Sequence, residues 1–282
     1  MHPRIAFWGT PDLTIEYLDA LESNGMTPIA IITNPDRPKG RGHELASPAP
    51  KTWAEKRNIP VFQPEKLDDE FFAQLQNLNL DISIVVAYGK IMPQEFIDLP
   101  KHKTINVHYS LLPKYRGAAP TESAILAGDA ETGCSIQIMA FKLDSGPIIS
   151  DKKIEIGENE NTTELRGRLT KLGSKLLIDI LPTYLSEKTI SRTQDDSQAT
   201  RSKKIKKEDG LIDPNGVAVE NYRKFRAYIE WPRTYFFHEH NGQKIRLIIT
   251  SAKLENNQFI IEKILPEGKK EIAYSDFLRN LK

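Results

Sequence analysis

Two polar residues at the end of one apolar run are the first candidates for chemistry. Asn106 and His108 alternate with Ile105 and Val107, so on a strand the amide and the imidazole project from one face. A donor amide beside a titratable ring suits a reaction in which negative charge develops on a carbonyl oxygen. A histidine at a strand end is also commonly held in a structural hydrogen bond, so the pair alone leaves both interpretations open.

A carboxylate in a later loop could complete this set. Asp144 lies in segment 142–147, whose Ser, Gly and Pro are typical of a turn, and there it could simply cap its own turn. If the fold brings Asp144 to His108, amide, imidazole and carboxylate together could take a proton from an amine and stabilise an oxyanion.

Several other mechanisms are excluded or disfavoured. There is no serine or cysteine nucleophile motif, and Cys134 stands in an apolar run where a core thiol is expected. A single cysteine excludes an internal disulfide and a thiolate-rich zinc site, and the histidine spacing predicts no metal site. Residues 9–12 lack the glycine pattern of a dinucleotide or nucleoside triphosphate loop.

Two basic segments are candidates for binding a polyanion. Residues 34–43 include two Pro, two Gly and three cations, which predicts a loop rather than a helix or a central strand. Residues 201–207 hold five cations. Residues 201–282 contain 17 Lys and Arg against 11 Asp and Glu, whereas the whole chain has a net charge of +1. This asymmetry is the one expected of a basic part that binds a polyanion on an acidic body. The excess is modest for a nucleic-acid binder, and a solvated basic surface, which is more common, has the same composition.

The order of the apolar runs predicts how these residues are positioned. Short runs rich in β-branched residues indicate buried strands at 5–7, 29–33, 82–87 and 105–108. Helical patterns lie between them, which favours an α/β fold with a doubly wound, mostly parallel sheet. Such sheets place their sites beyond the carboxyl ends of the strands, where Asn106 and His108 fall.

The chain changes character after this region. Asn161 and Glu164 form a capping-box pattern ahead of a long amphipathic helix that Pro182 and Ser186 are expected to end. Residues 188–204 lack apolar periodicity, which predicts an inter-domain linker. We therefore predict a catalytic domain over 1–187 and a second domain over 205–282.

The second domain is predicted to be small and rich in β-structure. A short helical pattern is followed by three apolar runs at 234–238, 244–250 and 258–264. Asn241-Gly242 between the first two is a strong hairpin signal.

Length and composition set the broad class. A chain of 282 residues with 39% hydrophobic residues can form one large domain and a small one. No run approaches the ~18 apolar residues of a membrane span, and Gly9 interrupts the first run too early for a secretion signal. We expect a soluble cytoplasmic protein that acts as a monomer.

Several motifs together resemble the formyltetrahydrofolate-dependent formyltransferases. Residues 106–120 read Asn-Val-His-x-Ser-Leu-Leu-Pro-x-x-Arg-Gly-Ala-Ala-Pro, and 143–146 read Leu-Asp-Ser-Gly, a combination specific for this superfamily. Pro-Asp-Arg-Pro-Lys-Gly-Arg-Gly at 35–42 resembles the tRNA-acting branch. Further matching segments are 9–12, 60–64, 85–89, 127–133, 206–213, 230–232 and 266–270. The resemblance spans nearly the whole chain.

The resemblance implies a Rossmann-like catalytic domain, an OB-like β-barrel and no metal. It implies 10-formyltetrahydrofolate as the formyl donor and the α-amine of initiator methionyl-tRNA as the acceptor. The implied catalytic residues are Asn106, His108 and Asp144. The implied folate-binding residues are Tyr88, Gly89, Ser110, Leu111, Leu112 and Pro113. The implied tRNA-binding residues are Arg37, Lys39, Arg41, Lys203, Lys204, Lys206 and Lys207.

Two departures from the family pattern and two alternatives accompany this interpretation. Tyr109 replaces a small residue or proline and is expected to reshape the acceptor pocket, and the second domain is short, which predicts an incomplete barrel. The alternatives are a formyltransferase of amino-sugar nucleotides and a non-catalytic binder of tRNA or folate. The basic segments favour RNA, and the intact set of Asn106, His108 and Asp144 favours catalysis.

Overall fold

The computed structural model describes residues 2–39, 44–240 and 242–279. The strands are β1 (Ile5–Gly9), β2 (Ala30–Ile32), β3 (Arg37–Lys39), β4 (Glu44–Ala46), β5 (Val61–Phe62), β6 (Ile82–Val86), β7 (Thr104–His108), β8 (Arg116–Gly117), β9 (Glu131–Ile138), β10 (Ile148–Glu155), β11 (Arg201–Ser202), β12 (Tyr235–His240), β13 (Gln243–Glu255), β14 (Gln258–Pro266) and β15 (Ile272–Ala273). The α-helices are α1 (Thr14–Ser23), α2 (Ala49–Glu55), α3 (Asp69–Gln76), α4 (Gln94–Asp98), α5 (Pro120–Ala127), α6 (Thr162–Leu185), α7 (Ala218–Ala227) and α8 (Tyr274–Arg279).

A seven-stranded sheet organises the first part of the chain. Its strand order is β10-β9-β7-β6-β1-β2-β5. β1 pairs in parallel with β2 and β6, and β7 pairs in parallel with β6 but antiparallel with β9. The chain runs outward from β1 to β5 and returns on the other side of β1 at β6. This is the doubly wound, mostly parallel sheet that the alternation of strands and helices predicts.

The strands near the centre of this sheet are apolar and buried. Every residue of β1 and β6 is buried, as expected for parallel strands covered on both faces. Trp8 contacts Phe71, Tyr88 and Phe96 edge-on, with ring centroids 6.1, 5.2 and 6.3 Å away. These aromatic contacts pack β1 against α3, α4 and the segment after β6.

The capping box ahead of α6 is confirmed. The side-chain oxygen of Asn161 accepts the Glu164 N–H at 3.1 Å, and the Glu164 carboxylate accepts the Asn161 N–H at 3.0 Å. α6 contains Pro182 and ends at Leu185, so the expectation that Pro182 helps to end it is wrong. A proline so close to the C-terminus removes one backbone hydrogen bond without stopping the helix.

The chain divides into two compact units. The first comprises residues 1–117, 133–153 and 167–201, and the second comprises 118–132, 154–166 and 202–282. Within the first unit, Arg192 pairs with Ile148 of β10, and Gln194 is buried. Part of the segment at 188–204 is therefore anchored on the first unit. The domain boundaries at 187 and 205 stay a prediction.

The second unit contains a four-stranded antiparallel sheet in the order β12-β13-β14-β15. A small apolar core joins Phe236, Leu247, Ile249 and Ile264 of this sheet to Ile212. The predicted runs at 234–238, 244–250 and 258–264 correspond to the first three strands, of which β13 extends to Glu255. Asn241 of the hairpin signal lies outside the described residues. Among the described residues the sheet ends with the two-residue strand β15, consistent with a shortened domain.

In the described part of the chain no helix combines the length and the apolar character needed to cross a membrane.

Candidate active site

β7 positions the two residues with which the site begins. It lies between β6 and β9, with Asn106 opposite Val85 and Gln137. Ile105 and Val107 are buried at 0% and 5% exposure. Strand alternation therefore places Asn106 and His108 together on the other face, near the carboxyl end of β7.

His108 is held in one orientation by the main chain. Its Nε2 lies 2.9 Å from the Tyr115 carbonyl oxygen, and a carbonyl oxygen only accepts hydrogen bonds. Nε2 must therefore carry a proton, which leaves Nδ1 as the nitrogen that can gain or lose one. Nδ1 faces the Asp144 Oδ2 atom at 3.7 Å. The ring can thus exchange a proton on the side of the carboxylate.

Asn106 contributes a free donor. Its side chain is partly buried, and it makes no hydrogen bond within the described part of the chain. A carboxamide with unused N–H groups at a strand end can donate to an oxygen that gains negative charge.

Asp144 completes the set, and its carboxylate is held on both oxygens. Oδ2 accepts the Gly117 N–H at 2.8 Å, and Oδ1 accepts the side-chain amide of Gln137 at 3.0 Å. Asp144 has a φ of 50°, in the left-handed region that an aspartate adopts more readily than most residues. The loop thus places the Asp144 carboxylate next to His108. The sequence alone left this proximity as a condition.

Three residues that are linked to Asp144 by hydrogen bonds were not identified as site residues from the sequence. Gln137 lies on β9, Gln194 lies in the segment predicted as a linker, and Arg116 donates to the Gln194 side chain at 3.0 and 2.8 Å. The sequence could have singled out Gln137, because a polar residue inside an apolar strand needs a hydrogen-bond partner. No pattern in the sequence singles out Gln194.

Charged residues surround this group. Asp196 accepts from Lys142 at 2.6 Å and pairs with Arg116 at 2.8 Å. The hydrogen bond from Lys142, followed by that from Arg116, holds the pKa of Asp196 below its usual range. Because Asp196 is exposed, its ion pairs with Lys142 and Arg116 are screened by water and contribute little to folding stability.

The geometry can be compared with known proteins. Residues 3–181 match the family described as formyl transferase, and residues 204–259 match the formyl transferase C-terminal domain. The chain belongs to the formyl transferase family.

Relatives in this family extend over most of the chain. A methionyl-tRNA formyltransferase from Sulfurihydrogenibium sp. (strain YO3AOP1) is 42% identical over 234 residues, covering 82% of this chain and 75% of the relative. A methionyl-tRNA formyltransferase from Thermodesulfovibrio yellowstonii is 35% identical over 302 residues, covering 100% and 97%.

Solved structures share the fold at lower identity. A methionyl-tRNA formyltransferase from Clostridium thermocellum has a TM-score of 0.63 at 18% identity and covers 96% of this chain and 99% of its own. The sugar 3N-formyl transferase WlaRD, determined in the presence of dTDP and 5-N-formyl-THF, has a TM-score of 0.64 at 18% identity and covers 96% and 100%. At this identity the likeness shows the fold alone.

The formyl transferase segment 110–113 forms a fixed turn after β7. The Ser110 hydroxyl donates to the Lys114 carbonyl at 2.5 Å, and Ser110 and Leu112 are buried. Ser135 supports the turn by donating to the Ser110 carbonyl and accepting the Leu112 N–H. The side chains of Leu111 and Pro113 are half-buried, and the assignment of this turn to folate binding stays a prediction.

Tyr88 and Gly89 differ in what they can offer a folate. The Tyr88 ring packs in the core beside Trp8, and burial raises the pKa of its hydroxyl to about 12. Its main-chain carbonyl already accepts the Asn34 side-chain amide at 3.0 Å and the Thr10 hydroxyl at 3.4 Å. Gly89 has a φ of 81°, and a β-carbon there would meet no atom within 4 Å. The main chain at Gly89 is therefore open to a flat ligand.

Tyr109 is turned into the first unit. Its hydroxyl lies 3.1 Å from the Tyr17 hydroxyl and 2.9 Å from the Thr170 hydroxyl. These contacts tie β7 to α1 and α6. They give Tyr109 a structural role, and its expected influence on an acceptor pocket stays a prediction.

The basic loop after β2 begins in a short antiparallel pair, β3 with β4. This agrees with its exclusion from helices and central strands. Arg37 is exposed, Lys39 lies at the end of β3, and Arg41 lies outside the described residues. Asp36 holds the root of the loop by accepting from Lys51 at 2.7 Å.

The second basic group lies in the other compact unit. Lys203, Lys204, Lys206 and Lys207 are all exposed, and none forms an ion pair with the part of the chain that the structure describes. Four unpaired cations in five residues form a surface suited to phosphates. The structure does not bring them together with Arg37 in one unit.

Within residues 2–39, 44–240 and 242–279, no group of three or more His, Cys, Asp or Glu side chains is arranged to hold a metal ion.

Proposed function

We propose that the chain transfers a formyl group from 10-formyltetrahydrofolate to the α-amine of initiator methionyl-tRNA. The products are N-formylmethionyl-tRNA and tetrahydrofolate, and the reaction serves translation initiation. The observation that carries this proposal is the approach of His108 Nδ1 to the Asp144 carboxylate, with Asn106 on the same face of β7 as His108, in a chain that matches a methionyl-tRNA formyltransferase over 97% of that relative's length.

Asn106 supplies the donor for the developing negative charge. As the amine adds to the formyl carbon, the formyl oxygen becomes an oxyanion, and the unused Asn106 amide can donate to it. Removing one such donor typically slows a reaction by ~10²–10³-fold.

His108 and Asp144 handle the proton that the amine releases. With Nε2 fixed on the Tyr115 carbonyl, Nδ1 receives the proton and faces Asp144. The carboxylate stabilises the resulting imidazolium, whose positive charge also favours the oxyanion. When the oxyanion collapses to the new formyl group, the bond between the formyl carbon and the folate nitrogen breaks, and the imidazolium returns its proton to that nitrogen. The side chains of His108 and Asp144 are only 7% and 11% exposed, so their mutual attraction is weakly screened by water.

The residues of the first unit fit a folate as formyl donor. 10-Formyltetrahydrofolate supplies the formyl carbon, and the chain supplies an open main chain at Gly89 and the fixed turn at 110–113. Leu111 and Pro113 of this turn are half-buried and offer apolar side chains. The assignment of these residues to folate binding is part of the proposal.

The basic residues are assigned to the tRNA. Arg37, Lys39 and Arg41 would reach the acceptor end, and Lys203, Lys204, Lys206 and Lys207 would hold the phosphate backbone. Replacing Lys206 and Lys207 by Gln is expected to raise KM for tRNA. It should also lower the salt dependence of tRNA binding, by about one unit in the slope of log K against log salt concentration for each lost phosphate contact. An unchanged slope contradicts the assignment. Lys188→Gln, at an exposed position of the other unit, is the matched control.

An amino-sugar nucleotide is the rival acceptor, because sugar N-formyl transferases share this fold. The two acceptors differ in charge, since tRNA carries many phosphates and a sugar nucleotide carries two. Steep loss of acceptor use with added salt supports tRNA, and weak salt dependence with turnover of the sugar supports the rival.

We also propose that the chain works in the cytoplasm as a monomer. Light scattering on purified protein should give the mass of one chain, 32.0 kDa. Twice that mass contradicts the proposal.

A further inference from the structure

Gln194 connects the segment after α6 to the loop that carries Asp144. It is 8% exposed, although its neighbours in sequence are exposed. Its side-chain nitrogen lies 2.9 Å from the Asp144 carbonyl oxygen, 2.7 Å from the Gly146 carbonyl oxygen and 3.3 Å from Gln137 Oε1. The NH₂ group has two protons, so it can donate one to each loop carbonyl, and the 3.3 Å contact to Gln137 shares one of them. A buried carboxamide bonded in this way is placed to hold a loop.

The orientation of this carboxamide is fixed by Arg116. A guanidinium only donates hydrogen bonds, and its Nε and Nη2 atoms lie 3.0 and 2.8 Å from Gln194 Oε1. The Gln194 oxygen must therefore face Arg116, and the Gln194 NH₂ group must face the loop.

The orientation of Gln194 also fixes that of Gln137, whose side chain binds the Asp144 carboxylate. Since Gln137 Oε1 faces the Gln194 NH₂ group, the Gln137 NH₂ group points the other way, where it donates to Asp144 Oδ1 at 3.0 Å. The hydrogen bonds run in one direction, from the cation of Arg116 to the anion of Asp144. A chain of amides with one permitted direction restricts the position of its terminal acceptor.

Gln194 also fixes the backbone of the loop. Asp144 has a φ of 50°, in the left-handed region that residues other than glycine seldom occupy. Gly146 packs so closely that a β-carbon would lie 1.7 Å from the Ile138 carbonyl oxygen. One Gln194 side chain binds the carbonyl groups of both residues, so it holds the turn in the form that presents the Asp144 carboxylate to His108.

We propose that Gln194 is a positioning residue for Asp144, acting through Gln137 and through the two loop carbonyls. The inference rests on the proposed function, because it requires Asp144 to take part in the transfer. Gln194 touches no substrate in this account. Its loss should therefore slow the chemical step and leave substrate binding largely intact.

The first test uses Gln194→Met, which keeps the length of the side chain and removes its hydrogen bonds. We expect kcat to fall by about 10- to 100-fold, because a small displacement of a reacting group has effects of this size, with KM for folate and for methionyl-tRNA changed less than about threefold. Gln198→Met, at an exposed position of the same segment, should retain wild-type kcat. A wild-type kcat in Gln194→Met overturns the proposal.

A second variant guards against a general loss of structure. Gln194→Glu can still accept from Arg116 but cannot donate to the loop, so we expect the same loss of kcat as for Gln194→Met, in a protein that melts cooperatively. If Gln194→Glu has wild-type kcat, donation to the loop is not what matters and the proposal is wrong.

A double-mutant cycle separates a positioning role from a merely structural one. In an Asp144→Asn background, Gln194→Met should lower kcat by less than about twofold, because the residue through which it acts is already disabled. Multiplication of the two losses contradicts the proposal. If wild-type protein transfers formyl to methionyl-tRNA, each of these three contradictions concerns Gln194 alone. If wild-type protein transfers none, the proposed function itself is refuted.

Discussion

Replacing Asn106 by Ala isolates the proposed oxyanion donor. Its amide makes no hydrogen bond within the described residues, so truncation leaves no partner unsatisfied. Folding stability should therefore change by no more than about 0.5 kcal/mol, as for a substitution outside any buried network. The structure thus predicts a variant that is stable and nearly inactive.

The size of the kinetic effect follows from the role. Loss of one donor to an oxyanion costs about 2.7–4 kcal/mol in the transition state, which is ~10²–10³-fold in kcat. Asn106→Asp has nearly the same shape but places a carboxylate opposite the developing negative charge. We expect it to be at least as slow as Asn106→Ala.

The assay is single-turnover transfer of labelled formyl to methionyl-tRNA at saturating folate, which reports the chemical step without product release. Asn77→Ala, an exposed asparagine at the end of α3, is the matched control and should react at the wild-type rate. A rate for Asn106→Ala within about fivefold of wild type would refute the oxyanion role, since the expected loss is at least ~10²-fold.

Three further predictions concern other parts of the first unit. Gly146→Ala should lower both kcat and the melting temperature, because its β-carbon would lie 1.7 Å from a main-chain oxygen, whereas Gly167→Ala, with nothing within 4 Å, should raise the melting temperature slightly. Burial raises the pKa of the Cys134 thiol, so iodoacetamide should label it only after unfolding, and rapid labelling of native protein would contradict its burial. The hydrogen bond from Lys51 holds the pKa of Asp36 below its usual range, so the contribution of this carboxylate to stability is present above about pH 4 and lost as the pH falls further. The difference in melting temperature between wild type and Lys51→Met should therefore shrink in that acidic range, and a constant difference would contradict the pairing.

The central sheet could be predicted because its strands carry the signal themselves. β1 and β6 are short, β-branched and buried along their whole length, and a periodicity argument detects such runs. β9 and β10 were not predicted. β9 interrupts its apolar run with Ser135 and Gln137, and β10 is exposed along half of its length. Their places depend on pairing with β7 and on each other, which no local pattern reveals.

The site could be predicted only as far as one strand extends. Asn106 and His108 share a face because they are two residues apart, which is a local fact. Asp144 lies 36 positions beyond His108 and reaches it through a turn with a left-handed residue. Gln194 is 50 positions from Asp144 and lies in a segment without periodicity, so only the tertiary structure could reveal its contact.

The most direct test of the account is transfer of labelled formyl from 10-formyltetrahydrofolate to methionyl-tRNA, with an amino-sugar nucleotide as acceptor in a parallel reaction. We expect label on the tRNA α-amine and none on the sugar, and we expect transfer to be lost in Asn106→Ala and His108→Ala. Label on the sugar alone would contradict the assigned acceptor, and undiminished transfer in either variant would contradict the assigned chemistry.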